Sequence, residues 1–172
     1  MLTASFQNVA DPPWERIKPL RVGCIPTGLG TPTIYVLVEN DGAPFIRVDV
    51  YGDEDCYSFE ATCVWRDFVV IGFGSRVHMV NCQTQEIITF ELDSYFGHFY
   101  QGADWLIIAS GFTLLLIDPT GRVAWKTEEL GLDGVIVDSI EGAFIHGRGE
   151  WDPTGGWRPF QVRLDTGEKI EV

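Results

Sequence analysis

The stretch Gly147-Arg148-Gly149-Glu150-Trp151-Asp152-Pro153-Thr154-Gly155-Gly156-Trp157-Arg158-Pro159 gathers two Trp, two carboxylates and two Arg in one short segment. A flat indole supplies apolar burial, and nearby charges fix the orientation of what lies on it. Glu150, Trp151, Asp152, Trp157 and Arg158 could therefore stack a sugar ring or grip a peptide side chain. These five form the candidate ligand- or partner-binding site. The same composition also suits a loop whose Trp side chains plug a sheet and whose Arg pair with the loop's own acids.

Other reactive residue types form no pattern. His78, His98 and His146 are far apart, and a metal set would need them to converge with Asp or Glu from separate segments. His78, beside Met79 in an apolar run, and His146 at the end of another read as core or edge histidines. Cys24, Cys56, Cys63 and Cys82 show no C-x-x-C pair and no His at zinc-finger spacing, so buried free thiols are expected. The acidic run Gly52-Asp53-Glu54-Asp55 fits no calcium loop and reads as a solvated turn. There is no G-x-S-x-G, and Gly72-Phe73-Gly74-Ser75 is a strand-to-turn junction. Gly28-Leu29-Gly30-Thr31 lacks the last Gly of a dinucleotide fingerprint and the Lys of a phosphate loop. Glu128-Glu129 falls on a surface turn. No catalytic residue, metal or cofactor is expected.

The elements that must position the candidate site are strands. Hydrophobic residues make up 45% of the 172, with 19 Gly and 9 Pro and no long helical-period segment. Trp105–Ala109, Thr113–Asp118 and Val123–Thr127 read as three antiparallel strands, turning at Ser110-Gly111 and Pro119-Thr120-Gly121. Thr33–Glu39 and Phe45–Tyr51 flank Asn40-Asp41-Gly42, residues that tolerate the positive φ of a tight hairpin. In the second of these strands Ile46, Val48 and Val50 should be buried and Phe45, Arg47 and Asp49 wet. Pro12, Pro13, Pro19, Pro26 and Pro32 predict an irregular arm before residue 33, with one helical turn at Trp14–Lys18.

Three segments repeat. Asp67–Gly72 aligns with Asp104–Ala109 and then with Gly142–Gly147, a period of about 37–40 residues. The following strands correspond too: Val77–Asn81, Leu114–Asp118 and Phe160–Asp165, then Ile87–Leu92, Val123–Thr127 and Lys169–Val172. Ser94–Gln101 and Val135–Ser139 can lead into the next copy, giving roughly four strands per repeat. Glu150–Arg158 is an insertion in the third copy. The expected organisation is one domain: an arm over 1–32, a hairpin unit over 33–60, and sheet repeats over 61–99, 100–134 and 135–172.

Leu114–Trp125, LLLIDPTGRVAW, resembles a blade of quinoprotein-type β-propellers, in which an apolar strand ends in Asp, Thr-Gly turns, and Trp follows in the next strand. Asn81 with Thr84 and Asp165 with Thr166-Gly167 echo it, so the resemblance covers about residues 62–172. Gln85 replaces the Gly in the first copy and only one copy has the Trp, so the family's quinone cofactor is not implied. The expected fold is all-β, built of antiparallel sheet repeats in a small or incomplete β-propeller-like arrangement, or half of a dimeric ring. A β-sandwich or barrel is the alternative.

Twelve basic residues against 25 acidic ones give a formal net charge of −13, which repels phosphate backbones and anionic membranes. Neither nucleic acid nor membrane is expected as a partner; a basic protein is. The N-terminus has no basic start followed by an apolar core, and no run approaches the ~18 apolar residues of a membrane span, so a cytoplasmic location is expected. These features rank a non-enzymatic protein-interaction module first, in one version an acidic inhibitor or immunity-type protein. A small-ligand or glycan binder is second, and a hydrolase with an acidic cleft third.

Overall fold

The computed structural model describes residues 1–52, 59–151 and 155–171. Cys56, Asp152 and the acidic run from Asp53 onward lie outside them. The chain divides into two compact units, Met1–Glu91 and Leu92–Val172, where the sequence suggests one domain.

The first unit holds two four-stranded sheets. One comprises β1 (Leu2–Gln7), β2 (Leu20–Gly23), β3 (Ile34–Asn40) and β4 (Ala43–Tyr51), in the order β1-β3-β4-β2. The other is a meander of β5 (Ala61–Trp65), β6 (Phe68–Phe73), β7 (Arg76–Asn81) and β8 (Ile87–Glu91). The second unit repeats the meander twice. Its sheets are β9 (Phe96–Gln101) to β10 (Leu106–Ser110), β11 (Leu114–Ile117) and β12 (Val123–Lys126), then β13 (Val135–Glu141) to β14 (Phe144–Trp151), β15 (Gly156–Arg163) and β16 (Lys169–Ile170). Among the described residues all pairings are antiparallel except β2 with β4. The repeat boundary expected at residue 99 falls inside β9.

The N-terminal segment departs from the expected irregular arm. A single 3₁₀ turn does form at Trp14–Arg16, but β1 and β2 supply both edges of the first sheet. Pro12, Pro13 and Pro19 lie between these strands, and Pro26 and Pro32 between β2 and β3, where no ladder N–H is needed. Leu2, Ala4 and Phe6 alternate toward the core, a period-two signal that the proline count obscures. Trp14 and Ala10 pack on Leu37 and cover the opposite face of that sheet.

The β3–β4 hairpin forms as its sequence dictates. Asn40 pairs with Ala43 around Asp41 (φ 50°) and Gly42 (φ 77°), the two positive-φ positions of a type I′ turn. Ile46, Val48 and Val50 are buried as expected. The wet face ends early, because Asp49 is 4% exposed and takes a two-pronged hydrogen bond from Arg47, at 2.7 and 3.1 Å.

Each unit's core lies between its two sheets. In the first, Val36, Val48 and Val50 face Val69, Ile71 and Val80; in the second, Ile107, Leu114 and Leu116 face Val137, Ile145 and Val162. Central strands β6, β10 and β11 are buried on both faces, which is why they read as continuous apolar runs. The Asp-Thr-Gly turn works through Asp118, whose Oδ1 accepts from the Thr120 backbone N–H at 2.8 Å and the Thr120 hydroxyl at 2.7 Å. These bonds hold the Asp118 carboxyl below its usual range. Trp125 links successive sheets: its Nε1 donates to the Leu164 carbonyl at 2.9 Å, and its ring covers Gly167, where a Cβ would stand 2.7 Å from the indole.

His78 is a core histidine, as its apolar setting suggests. It is 2% exposed, stands opposite Ile71, and its Nδ1 meets the Thr89 hydroxyl at 2.9 Å. Burial first, and the Arg76 charge second, lower its pKa from 6.5 to about 4. The fold therefore holds neutral imidazole while the unfolded chain takes up a proton from pH 6.5 downward. This contribution to stability is fully present above pH 6.5 and is lost as the pH falls toward 4. Denaturant unfolding should show a loss of about 2 kcal/mol between pH 7 and pH 5 that His78→Gln removes. An identical pH slope in His78→Gln would assign it to other groups.

Candidate functional site

The described residues of the insertion continue the sheet, where the sequence suggests a loop. β14 and β15 run on past the repeat, pairing Gly149 with Arg158, Glu150 with Trp157 and Trp151 with Gly156. His146 consequently lies inside β14, where the sequence places it at a strand end.

Alternation in this ladder sorts the candidate residues onto two faces. Glu150 and Trp157 stand side by side on one, together with Arg148, whose guanidinium carbon lies 5.9 Å from the Trp157 ring centroid. Trp151 and Arg158 share the other, 5.7 Å apart by the same measure. The two indoles thus form no joint platform, correcting the paired arrangement that their composition suggests. Asp152 lies outside the described residues.

The Glu150–Trp157 face is anchored by the segment before β13. Glu150 N–H donates to the Gly134 carbonyl at 2.8 Å, and Leu132 N–H donates to the Glu150 carbonyl at 2.7 Å. Gly134 leaves the space that the site needs: a Cβ there would stand 3.1 Å from the Trp157 ring and 3.8 Å from Glu150 Oε2. Tyr95 closes one side, donating its hydroxyl to the Asp133 carbonyl. Burial, and then the negative charges of Asp133 and Glu150, push the Tyr95 pKa up.

Arg148 is paired with Asp138, not with an acid of its own loop. Two bonds of 2.9 and 2.8 Å join them. A register slip between Val137 and Ser139 sets Asp138 at a bulge in β13. Hydrogen bonding from Arg148 holds the Asp138 carboxyl below its usual range. Asp138, His146, Arg148, Pro159 and Gln161 also border an open depression of about 320 Å³ on this face. Trp157 is 42% exposed, Glu150 is half-buried, and among the described residues nothing pairs with the Glu150 carboxylate.

The other reactive residues stay dispersed. Cys63 and Cys82 are free thiols, the first half-buried and the second buried, with burial pushing Cys63 up to about 12, whereas Cys24 is exposed where the sequence expects burial. Its sulfur accepts from Arg76 at 3.1 Å. Among the described residues no group of three His, Cys, Asp or Glu is placed to hold a metal ion.

No protein-family model and no curated protein matches this sequence. Solved structures do. BamB from Moraxella catarrhalis is similar at 11% identity with a TM-score of 0.53, over 80% of this chain and 45% of that one. Apo AztD from Citrobacter koseri matches at 10% identity and 0.49, over 82% and 41%; the Pan2 WD40 domain of Neurospora crassa matches at 11% and 0.49, over 83% and 47%. The fold is β-propeller-like. Its sheets are the blades that the sequence repeat implies, and the chain spans less than half the length of the structures it matches.

Proposed function

We propose that this chain is a protein-interaction module whose contact surface centres on Trp157, flanked by Arg148 and Glu150. The observation that carries this reading is an exposed indole held on paired strands between opposite charges. Interface hot spots favour large aromatic side chains with polar groups around them. The net charge of −13 favours a basic partner and would speed its capture. An acidic inhibitor that covers a partner's cationic surface is the specific form we propose. The free thiols Cys63 and Cys82 suit a reducing compartment, in keeping with a cytoplasmic site of action. A glycan reading is weaker because Trp151 and Trp157 face opposite ways. Fold alone does not choose among these functions, so the site carries the argument.

The test is affinity capture of a basic protein at low and high salt, with the wild type and Trp157→Ala as bait. Capture should weaken with salt, and Trp157→Ala should weaken it about 30-fold, the ~2 kcal/mol of a hot-spot Trp, with an unchanged unfolding midpoint. Undiminished capture by Trp157→Ala would remove this face from the proposal, and indifference to salt would remove the electrostatic part.

A further inference from the structure

We infer that Glu150 and Trp157 form a notch for one cationic side chain, arginine or lysine, presented by a protein partner. The inference rests on the interaction reading above and names what its central subsite takes.

Three features of the notch select for a cation. First, Glu150 is half-buried as a residue and its carboxylate has no hydrogen bond or ion pair from the described residues, so it is open to an incoming donor. Tyr95 does not supply one, since its hydroxyl serves the Asp133 carbonyl. Second, the Trp157 ring and Glu150 Oε2 lie side by side over Gly134, so a cation resting on the indole is within reach of the carboxylate. The ring already attracts a guanidinium from its own chain, that of Arg148. Third, Asp138 neutralises Arg148 through their two hydrogen bonds, which leaves Glu150 and Asp133, the two charges that act on Tyr95, without an ion pair among the described residues. A carboxylate or phosphate would be repelled there. A neutral sugar would leave Glu150 without a counter-charge.

The backbone bonds of Glu150 to Gly134 and Leu132 fix the main chain from which the carboxylate projects before anything binds, so only the side chain needs ordering on docking. Arginine suits the notch well, because its planar guanidinium can stack on the indole and present N–H groups to Glu150 at once.

The experiment is a titration with N-acetylarginine amide, followed by the Trp157 indole N–H in a nitrogen–proton correlation spectrum and assigned with Trp157→Phe. N-acetylcitrulline amide, uncharged but of the same shape, is the control. We expect a saturable shift of the Trp157 signal with the arginine probe, none with citrulline, and binding about tenfold weaker in Glu150→Gln, which keeps the side chain's size. An equal response to citrulline, undiminished binding in Glu150→Gln, or an unmoved Trp157 signal would overturn the notch. If the signal does not move while Trp157→Ala still abolishes partner capture, the notch falls and the interaction face stands. If the arginine probe binds as expected while capture is indifferent to Trp157→Ala, the notch stands and the wider face falls.

Discussion

Asp49→Ala is expected to lower the stability of the first unit by about 3–5 kcal/mol, because it strands a guanidinium that the fold has taken largely out of water. Arg47 and Asp49 keep only 15% and 5% of their side-chain surface exposed, and Arg47 also lies 5.1 Å over the Tyr35 ring. Removing the carboxylate leaves Arg47 neither paired nor well hydrated. The double variant Arg47→Met/Asp49→Leu should recover most of the loss, since apolar replacements of similar volume remove both desolvation costs together. Urea unfolding of the wild type, the single and the double variants checks this. A single variant within about 1 kcal/mol of the wild type would mean that water reaches the pair in solution.

Gly149→Ala should cost the second unit about 3 kcal/mol or more, through overpacking against backbone that cannot move aside. A Cβ at Gly149 would stand 1.7 Å from the Leu130 carbonyl oxygen. Leu130 is itself fixed, with its N–H bonded to the Phe112 carbonyl at 2.8 Å and its side chain 1% exposed. The displaced segment is the one that anchors Glu150, so the variant should also disturb the Trp157 environment, visible as a shift in tryptophan emission. Gly142→Ala is the contrast: nothing lies within 4 Å, and its φ of +59° costs only about 1–2 kcal/mol. Equal losses in the two variants would show that backbone conformation, not the close crossing at Leu130, sets the penalty.

Both predictions concern residues that the sequence presents plainly and interprets poorly. Asp49 alternates with Val48 and Val50 and so reads as a solvent-facing residue. What surrounds it is not local: its cross-strand neighbour Tyr35 packs against the Trp14, Ala10 and Leu37 cluster on that side of the sheet. Gly147 and Gly149 sit two apart on one strand, a signal that another chain segment approaches that face closely. Which segment it is cannot be read from the strand itself.

The candidate site divides in the same way. Its residue types were legible, since Trp157, Glu150 and the two Arg are unusual in so short a stretch. Their grouping was not. Reading the stretch as a loop hides the period-two alternation that sends Trp151 and Trp157 to opposite faces. Gly134, Tyr95 and Asp138 lie in other elements and carry no local signal of a role there.

By itself the sequence determined most of the strands after residue 33, the turn at Asp41-Gly42, the Asp118 turn and the repeat of about 37–40 residues. These depend on side-chain alternation, on apolar runs and on residues that tolerate positive φ, all of which act over a few neighbours. The tertiary structure alone decided that β1 and β2 complete the first sheet, that Arg148 pairs with Asp138 across a bulge, and that the Glu150 carboxylate stands beside Trp157 without a partner among the described residues. Those outcomes depend on strand register and on close approach between distant segments, where a slip of one residue reverses every side chain and a single Cβ can bar a crossing.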